Sequence, residues 1–349
     1  MQAYRAPPWL FGAGAIGGNA QTIWPALFGR RFHGDAPAFD RTRWTTPDGD
    51  FVDVDWLRGT ESGTESGGES GNEIFNNGTA TVPLLVLFHG LEGSSGSHYS
   101  QAFADWARRH GWRFAVPHFR GCSGELNLAP RAYHSGDFEE IGWILDRCRA
   151  EHSGPMLAVG VSLGGNALLR WAEEAGDSAA STLSALAAVS SPVDLAAGGH
   201  AIGRGFNRQV YTRMFLRSIV PKALRKLDQH PGLFSRERLL AARDLYDFDN
   251  VFTAPLHGFR DTDDYWSRGS AKPHLHRIRI PALVVNARND PFVPASSLPT
   301  PAAVGAHVSL WQPAHGGHVG FPDGRLPGHV LTLPERVMGW LQAHIAVAA

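Results

Sequence analysis

From residue 83 onward, short apolar and β-branched runs alternate with segments patterned for helices, and this alternation constrains the fold more than any other feature. "PLLVLFHG" reads as a buried strand and "SHYSQAFADWARRHGW" as a helix with Phe103, Trp106 and Ala107 on its apolar side; "RFAVPHFRG" is the next strand and "DFEEIGWILDRCRAEH" the next helix. "MLAVGVS", "GGNALLRWAEEAG" and "LSALAAVSSP" continue as strand, helix and strand. After a long gap, "IPALVVNARND" and "HVSLWQPAHG" give two more strands, and "PERVMGWLQAHIAVA" closes the chain as a helix. The expectation is an α/β fold, a mostly parallel central sheet flanked by helices on both faces. Ligands of such sheets sit beyond the carboxyl ends of the strands.

Three segments depart from the rhythm. Residues 1–45 form an N-terminal leader packed on the core. Its uncharged stretch "WLFGAGAIGGNAQTIWPALFG" is too polar and too broken by Gly and Pro25 for a spanning helix, and it lacks the basic start of a signal peptide. "FDRTRWTTPDGDFVDVDWL" reads as two strands joined at the Pro47-Asp48-Gly49 turn, and the core is expected to run through residues 46–192. Within it, residues 59–79 are acidic and rich in Gly and Ser, the composition of a flexible insertion. Residues 193–272 are helical in character and too long for a loop, so they read as a helical cap or lid inserted before the core resumes at 273–349.

A net charge of −1 in 349 residues carries no electrostatic footprint for nucleic acid. The two cysteines, Cys122 and Cys148, make no disulfide framework and lack metal-ligand spacing, which suits a reducing, cytoplasmic compartment.

The sharpest motif is Gly160-Val161-Ser162-Leu163-Gly164, G-x-S-x-G between a strand and a helix, where the serine hydroxyl is lifted above the sheet on a tight turn. A passive serine in a glycine-rich turn is the plain alternative. A serine needs a base to become a nucleophile, and in this topology an acid and then a histidine should follow. Asp290 ends "VVNARND" and His318 lies in "AHGGHVGF" after the next strand. Asp290 could instead be a turn former beside Pro291. His315 competes with His318 as base, but Gly316 and Gly317 favour His318 by giving the loop room to turn inward. His89-Gly90 follows the first parallel strand, so the N–H groups of Leu91 and Leu163 are the expected oxyanion-hole donors, with His89 shaping the loop.

Together these residues resemble the YheT-like branch of the α/β-hydrolase fold. The similarity runs through "NAQTIWPAL", "HGLEGSSGSHY", "FRGCSGE", "GVSLGGN", "FDNVFTAPLHGF", "NARNDPFVP" and "GGHVGF", nearly the whole chain. In the leader, relatives usually read His-Leu-Gln-Thr where this chain has Asn19-Ala20-Gln21-Thr22. The acidic insertion is a second departure, and neither touches the triad positions. The resemblance implies Ser162, Asp290 and His318 as a triad. It also implies carboxylesterase, acylglycerol lipase or phospholipase activity on short- to medium-chain esters, or acyl transfer to an alcohol, with a lipid or small-molecule ester as substrate. No metal or other cofactor is implied. A catalytically idle binding protein on the same fold is the remaining alternative.

Between Arg204 and Arg243 there are ten Lys or Arg but only Asp228 and Glu237 as acids. Phe206, Val210, Met214 and Phe215 recur near helical spacing among Arg204, Arg208, Arg213 and Arg217. Such a stretch ordinarily shows water a basic face while its apolar side covers the core. It also fits a basic amphipathic lid that meets anionic lipid. Asp194 is expected to cap the first helix of the inserted region, and Arg120 to fix a loop near the site by hydrogen bonds. Cys122 reads as packing, with a reactive thiol as the alternative.

Overall fold

The computed structural model describes residues 3–12, 14–59 and 82–345. Apart from Gly59, the insertion expected at 59–79 lies outside the described residues. An eight-stranded sheet has the order β1-β2-β4-β3-β5-β6-β7-β8. Strands β1 (Phe39–Thr45) and β2 (Phe51–Leu57) form the antiparallel hairpin around Pro47-Asp48-Gly49, and β2 continues antiparallel to β4 (Arg113–Pro117). The others, β3 (Leu84–Phe88), β5 (Met156–Val161), β6 (Ala185–Val189), β7 (Ala282–Val285) and β8 (Val308–Trp311), are parallel to their neighbours. The chain steps from β3 outward to β4, then crosses back to β5 on the other side. That reversal of winding opens a crevice at the strands' carboxyl ends.

Period-two alternation decides which helix covers which face. Leu84, Val86 and Phe88 of β3 join Ile141 and Leu145 of α3 (Phe138–Glu151) and Leu168 and Leu169 of α4 (Leu163–Ala175). Leu85 and Leu87 point the other way, onto Phe103 and Trp106 of α2 (His98–Arg109) and Val337 and Met338 of the closing helix Thr332–Gln342. The leader contributes α1 (Ala15–Phe28). Among the described residues no helix is long and apolar enough to cross a membrane.

Between β6 and β7 the described chain has no strand and builds helices that include Leu195–Ile202, Arg213–Gln229, Leu245–Val251 and Thr262–Gly269. Asp194 caps the first of these by accepting the Ala197 N–H at 3.1 Å. Ile219, Ala223, Leu239, Phe248 and Phe252 form their own small core.

One expectation fails here. Phe206, Val210 and Met214 do not cover the core; they are 55%, 36% and 54% exposed. Two stripes of four-residue spacing run along this helical stretch, and the inward one is Tyr211, Phe215, Ile219 and Ala223, which pack on Phe292 or the helical core. A helix can bury only one such stripe against a single neighbour. The buried one includes Phe215 and leaves the other three apolar side chains outside.

Candidate functional site

Ser162 sits between the last residue of β5 and the first of α4, at φ 52° and ψ −117°. A non-glycine residue held there costs roughly 1–3 kcal/mol, so its surroundings have to enforce the conformation. They do so by hydrogen bonds: the Ser162 N–H donates to Val189 O at 2.8 Å, and Ser162 O accepts from the N–H groups of Gly165 and Asn166. The flanking glycines permit the approach. A Cβ on Gly160 would lie 2.5 Å from Gly164 O, and one on Gly164 would lie 2.5 Å from His89 O.

Asp290 follows β7 and is buried, and its Oδ1 accepts the N–H groups of Phe292 and Val293 at 2.7 and 3.2 Å. Its Oδ2 lies 2.9 Å from His318 Nδ1, and His318 Nε2 lies 3.0 Å from Ser162 Oγ. With the carboxylate accepting from Nδ1–H, Nε2 faces the serine as an acceptor. The Phe292 ring packs 4.1 Å from the imidazole, centroid to centroid. His315, the competing base, bonds to neither Ser162 nor Asp290, and its Nδ1 is buried without a partner among the described residues.

Sequence reasoning missed two leader residues that hold both loops. Thr22 Oγ1 accepts the N–H of His318 at 2.8 Å while its hydroxyl donates to Gly18 O. Gln21, fully buried, accepts on Oε1 from the Gly316 N–H and from Asn289 Nδ2, and its Nε2 donates to the carbonyls of Leu10 and Gly12. All the hydrogen-bonding capacity of the Gln21 amide is thereby used. The approach is so close that a Cβ on Gly320 would lie 1.7 Å from Gln21 O. A signal was present: uncharged Gln and Thr in an otherwise apolar segment need partners when buried.

The loop after β3 completes the mouth of the site. The N–H groups of Leu91 and Leu163 have no hydrogen-bond partner among the described residues, and both residues line the same cavity as Ser162. His89 is fully buried; its Nδ1 donates to Gly90 O, its Nε2 accepts the Phe119 N–H, and burial lowers its pKa to about 3, so it is a neutral brace. Glu92, at φ 57°, ties this loop to the inserted helices. Its carboxylate receives the Lys222 ammonium at 2.8 Å, the Tyr133 hydroxyl at 3.0 Å and the Ser218 hydroxyl, Ser218 and Lys222 both lying on the Arg213–Gln229 helix.

Ser162, Leu91 and Leu163 open into a cavity of about 160 Å³ whose walls are mostly apolar, with Phe215, Ile219, Phe248, Phe252, Trp266 and Phe292 among them. Polar groups are few and held. Asp249 accepts from Thr253 and from Trp266 Nε1, and burial raises its pKa to about 6. Lys226, buried and lowered to about 8 by that burial, donates to the carbonyls of Asn127 and Ala129. Arg120 is bound by Asp48, Asp50 and Glu140 and so fixes the loop, as its sequence position suggests. Cys122 and Cys148 are free, and burial pushes each thiol up to about 12, which disfavours the thiolate at neutral pH.

The family described as "alpha/beta hydrolase fold" matches residues 83–325. The Escherichia coli (strain K12) protein named "Putative esterase YheT" is 37% identical over 330 residues, which cover 94% of this chain and 91% of that protein. Phospholipase ABHD3 of Mus musculus is 28% identical over 306 residues, covering 86% of this chain and 70% of that protein. Among solved structures, Est1E from Butyrivibrio proteoclasticus with bound ferulic acid shares the fold at a TM-score of 0.54 and 14% identity, over 88% of this chain and 100% of that one.

Proposed function

Because this chain belongs to the α/β-hydrolase fold family, in its YheT-like branch, we propose that it is a serine hydrolase cleaving carboxylic esters of short- to medium-chain acyl groups. The observation that carries this reading is the continuous run from Ser162 Oγ to His318 Nε2 at 3.0 Å and from His318 Nδ1 to Asp290 at 2.9 Å, at the mouth of an apolar cavity. The names of two relatives, "Putative esterase YheT" and "Phospholipase ABHD3", support ester chemistry on a lipid or small-molecule substrate.

In this mechanism His318 Nε2 takes the hydroxyl proton as Ser162 Oγ attacks the ester carbonyl. Asp290 keeps the imidazole in the required tautomer and stabilises it once charged. The N–H groups of Leu91 and Leu163 receive the oxyanion; such a donor typically supplies about 3 kcal/mol of transition-state stabilisation. His318 returns the proton to the leaving alcohol, and an acyl group remains on Ser162. Water then gives a proton to the same nitrogen and attacks the acyl carbon; the adduct collapses and releases the acid as His318 returns that proton to Ser162 Oγ. The helices between β6 and β7 act as the cap that shapes the acyl site. Two free cysteines support a reducing, cytoplasmic setting.

The test is Ser162→Ala with p-nitrophenyl esters from acetate to palmitate and a fluorophosphonate probe. The wild type is expected to turn over the shorter esters and take the label, and the folded variant to do neither. Undiminished turnover by Ser162→Ala would refute the assignment.

A further inference from the structure

We infer that a composite face of the leader and the cap docks on an anionic lipid surface, with apolar side chains entering the interface and arginines meeting the headgroups. This rests on the reading above only in what docking would serve; the binding itself is a separate property. Phe206, Val210 and Met214, each four residues from the next, form an apolar stripe facing water. Arg204, Arg213 and Arg217 are exposed and Arg208 half-buried around it, and none has an acidic partner among the described residues. Four unneutralised guanidinium groups among three exposed apolar side chains give a surface whose charge complements a negatively charged bilayer. A second protein copy would bring the same positive charge and be repelled.

The leader lies against the same helical stretch and carries exposed apolar side chains of its own. Tyr211, on the next stripe of the same helical stretch, donates its hydroxyl to Asn19 of α1 at 2.8 Å, which anchors α1 beside the cap. Ile16, one helical turn before Asn19 on the same side of α1, is 74% exposed, and Phe11 in the preceding turn is 70% exposed. The inward stripe of the cap helix, with Phe215 and Ile219, lines the cavity that opens at Ser162. One helix, about 10 Å across, therefore separates the proposed bilayer contact from the acyl site. An ester leaving the interface would cross only that thickness.

The experiment is co-sedimentation of the full chain with vesicles of phosphatidylcholine alone and of phosphatidylcholine mixed with phosphatidylglycerol. The wild type should bind the anionic vesicles at least roughly tenfold more tightly, less so at high salt. Arg213→Gln/Arg217→Gln should erase that preference, and Phe206→Ser/Met214→Ser should weaken binding to both, all with unchanged melting temperature and unchanged turnover of p-nitrophenyl acetate. Equally weak wild-type binding to the two vesicles overturns the inference. So does a wild-type dimer that Phe206→Ser/Met214→Ser converts to a monomer while vesicle binding stays absent. Absence of ester turnover together with retained vesicle binding would count against the hydrolase reading alone.

Discussion

The N–H of His318 donates to the hydroxyl oxygen of Thr22 at 2.8 Å, so the histidine facing Ser162 is fixed by a residue 296 positions earlier in the chain. The same helix holds the neighbouring Asp290 loop through Gln21 and Asn289. One short helix thus sets the relative positions of the two loops that carry the proposed acid and base.

Thr22→Val removes the acceptor and keeps the shape. Its kcat on p-nitrophenyl butyrate is expected to fall about 10- to 100-fold, with KM little changed, because the imidazole loses its fixed position rather than the substrate its site. Thr22→Ser should recover most of the loss. Steady-state kinetics of the two variants decides it, and equal loss in both would point to packing rather than to the hydroxyl.

Asp290→Asn should lower kcat on the order of 10⁴-fold, since the amide favours the wrong imidazole tautomer. His315→Gln should stay near wild type, because His318 rather than His315 makes the hydrogen bonds to Ser162 and Asp290. A fluorophosphonate labelling time course on both variants provides the comparison.

Lys222→Met leaves the Glu92 carboxylate beside the cavity without its cation, and about 1–3 kcal/mol of stability should be lost. Adding Glu92→Gln to that variant should restore part of it, a coupling readable from thermal melts of the two single variants and the double. Because Glu92 adjoins Leu91 in the loop after β3, kcat should fall in each single variant.

Asp50 gives a pH dependence of defined sign. Burial raises its pKa, but hydrogen bonds from Asn127 and from the N–H groups of Leu128, Phe51 and Ala129 outweigh this and bring it down to about 2. A carboxylate depressed on folding stabilises the fold above its unfolded pKa near 3.8 and loses that contribution as pH falls through the folded value. Asp50→Asn should therefore melt well below wild type at pH 5, by about 2 kcal/mol, and the gap should close toward pH 2. Melting curves across that range test it; a gap independent of pH would show that the charge is immaterial.

Short-range pattern made much of the molecule legible in the sequence. The alternation of Leu84 to Phe88 selects the two faces of a buried strand, and the crowding around Gly160 and Gly164 marks the turn that lifts Ser162. Asp290 and His318 were placed by lying after successive strands, because a parallel sheet delivers the ends of its strands to one edge. What escaped depended on contacts between distant segments. Residue spacing cannot say that Gln21 and Thr22 insert against Gly316 and His318, since nothing local records which loop a leader covers.

By itself, then, the sequence determined the layered architecture and the chain order of Ser162, Asp290 and His318, because strand, helix and turn preferences act over a few residues. The tertiary structure alone decided that the Phe215 stripe turns inward while Phe206, Val210 and Met214 face out, and that Glu92 bridges the loop after β3 to the helix Arg213–Gln229. Two stripes of equal spacing are equivalent until a neighbour covers one of them, and only the packed chain supplies the neighbour.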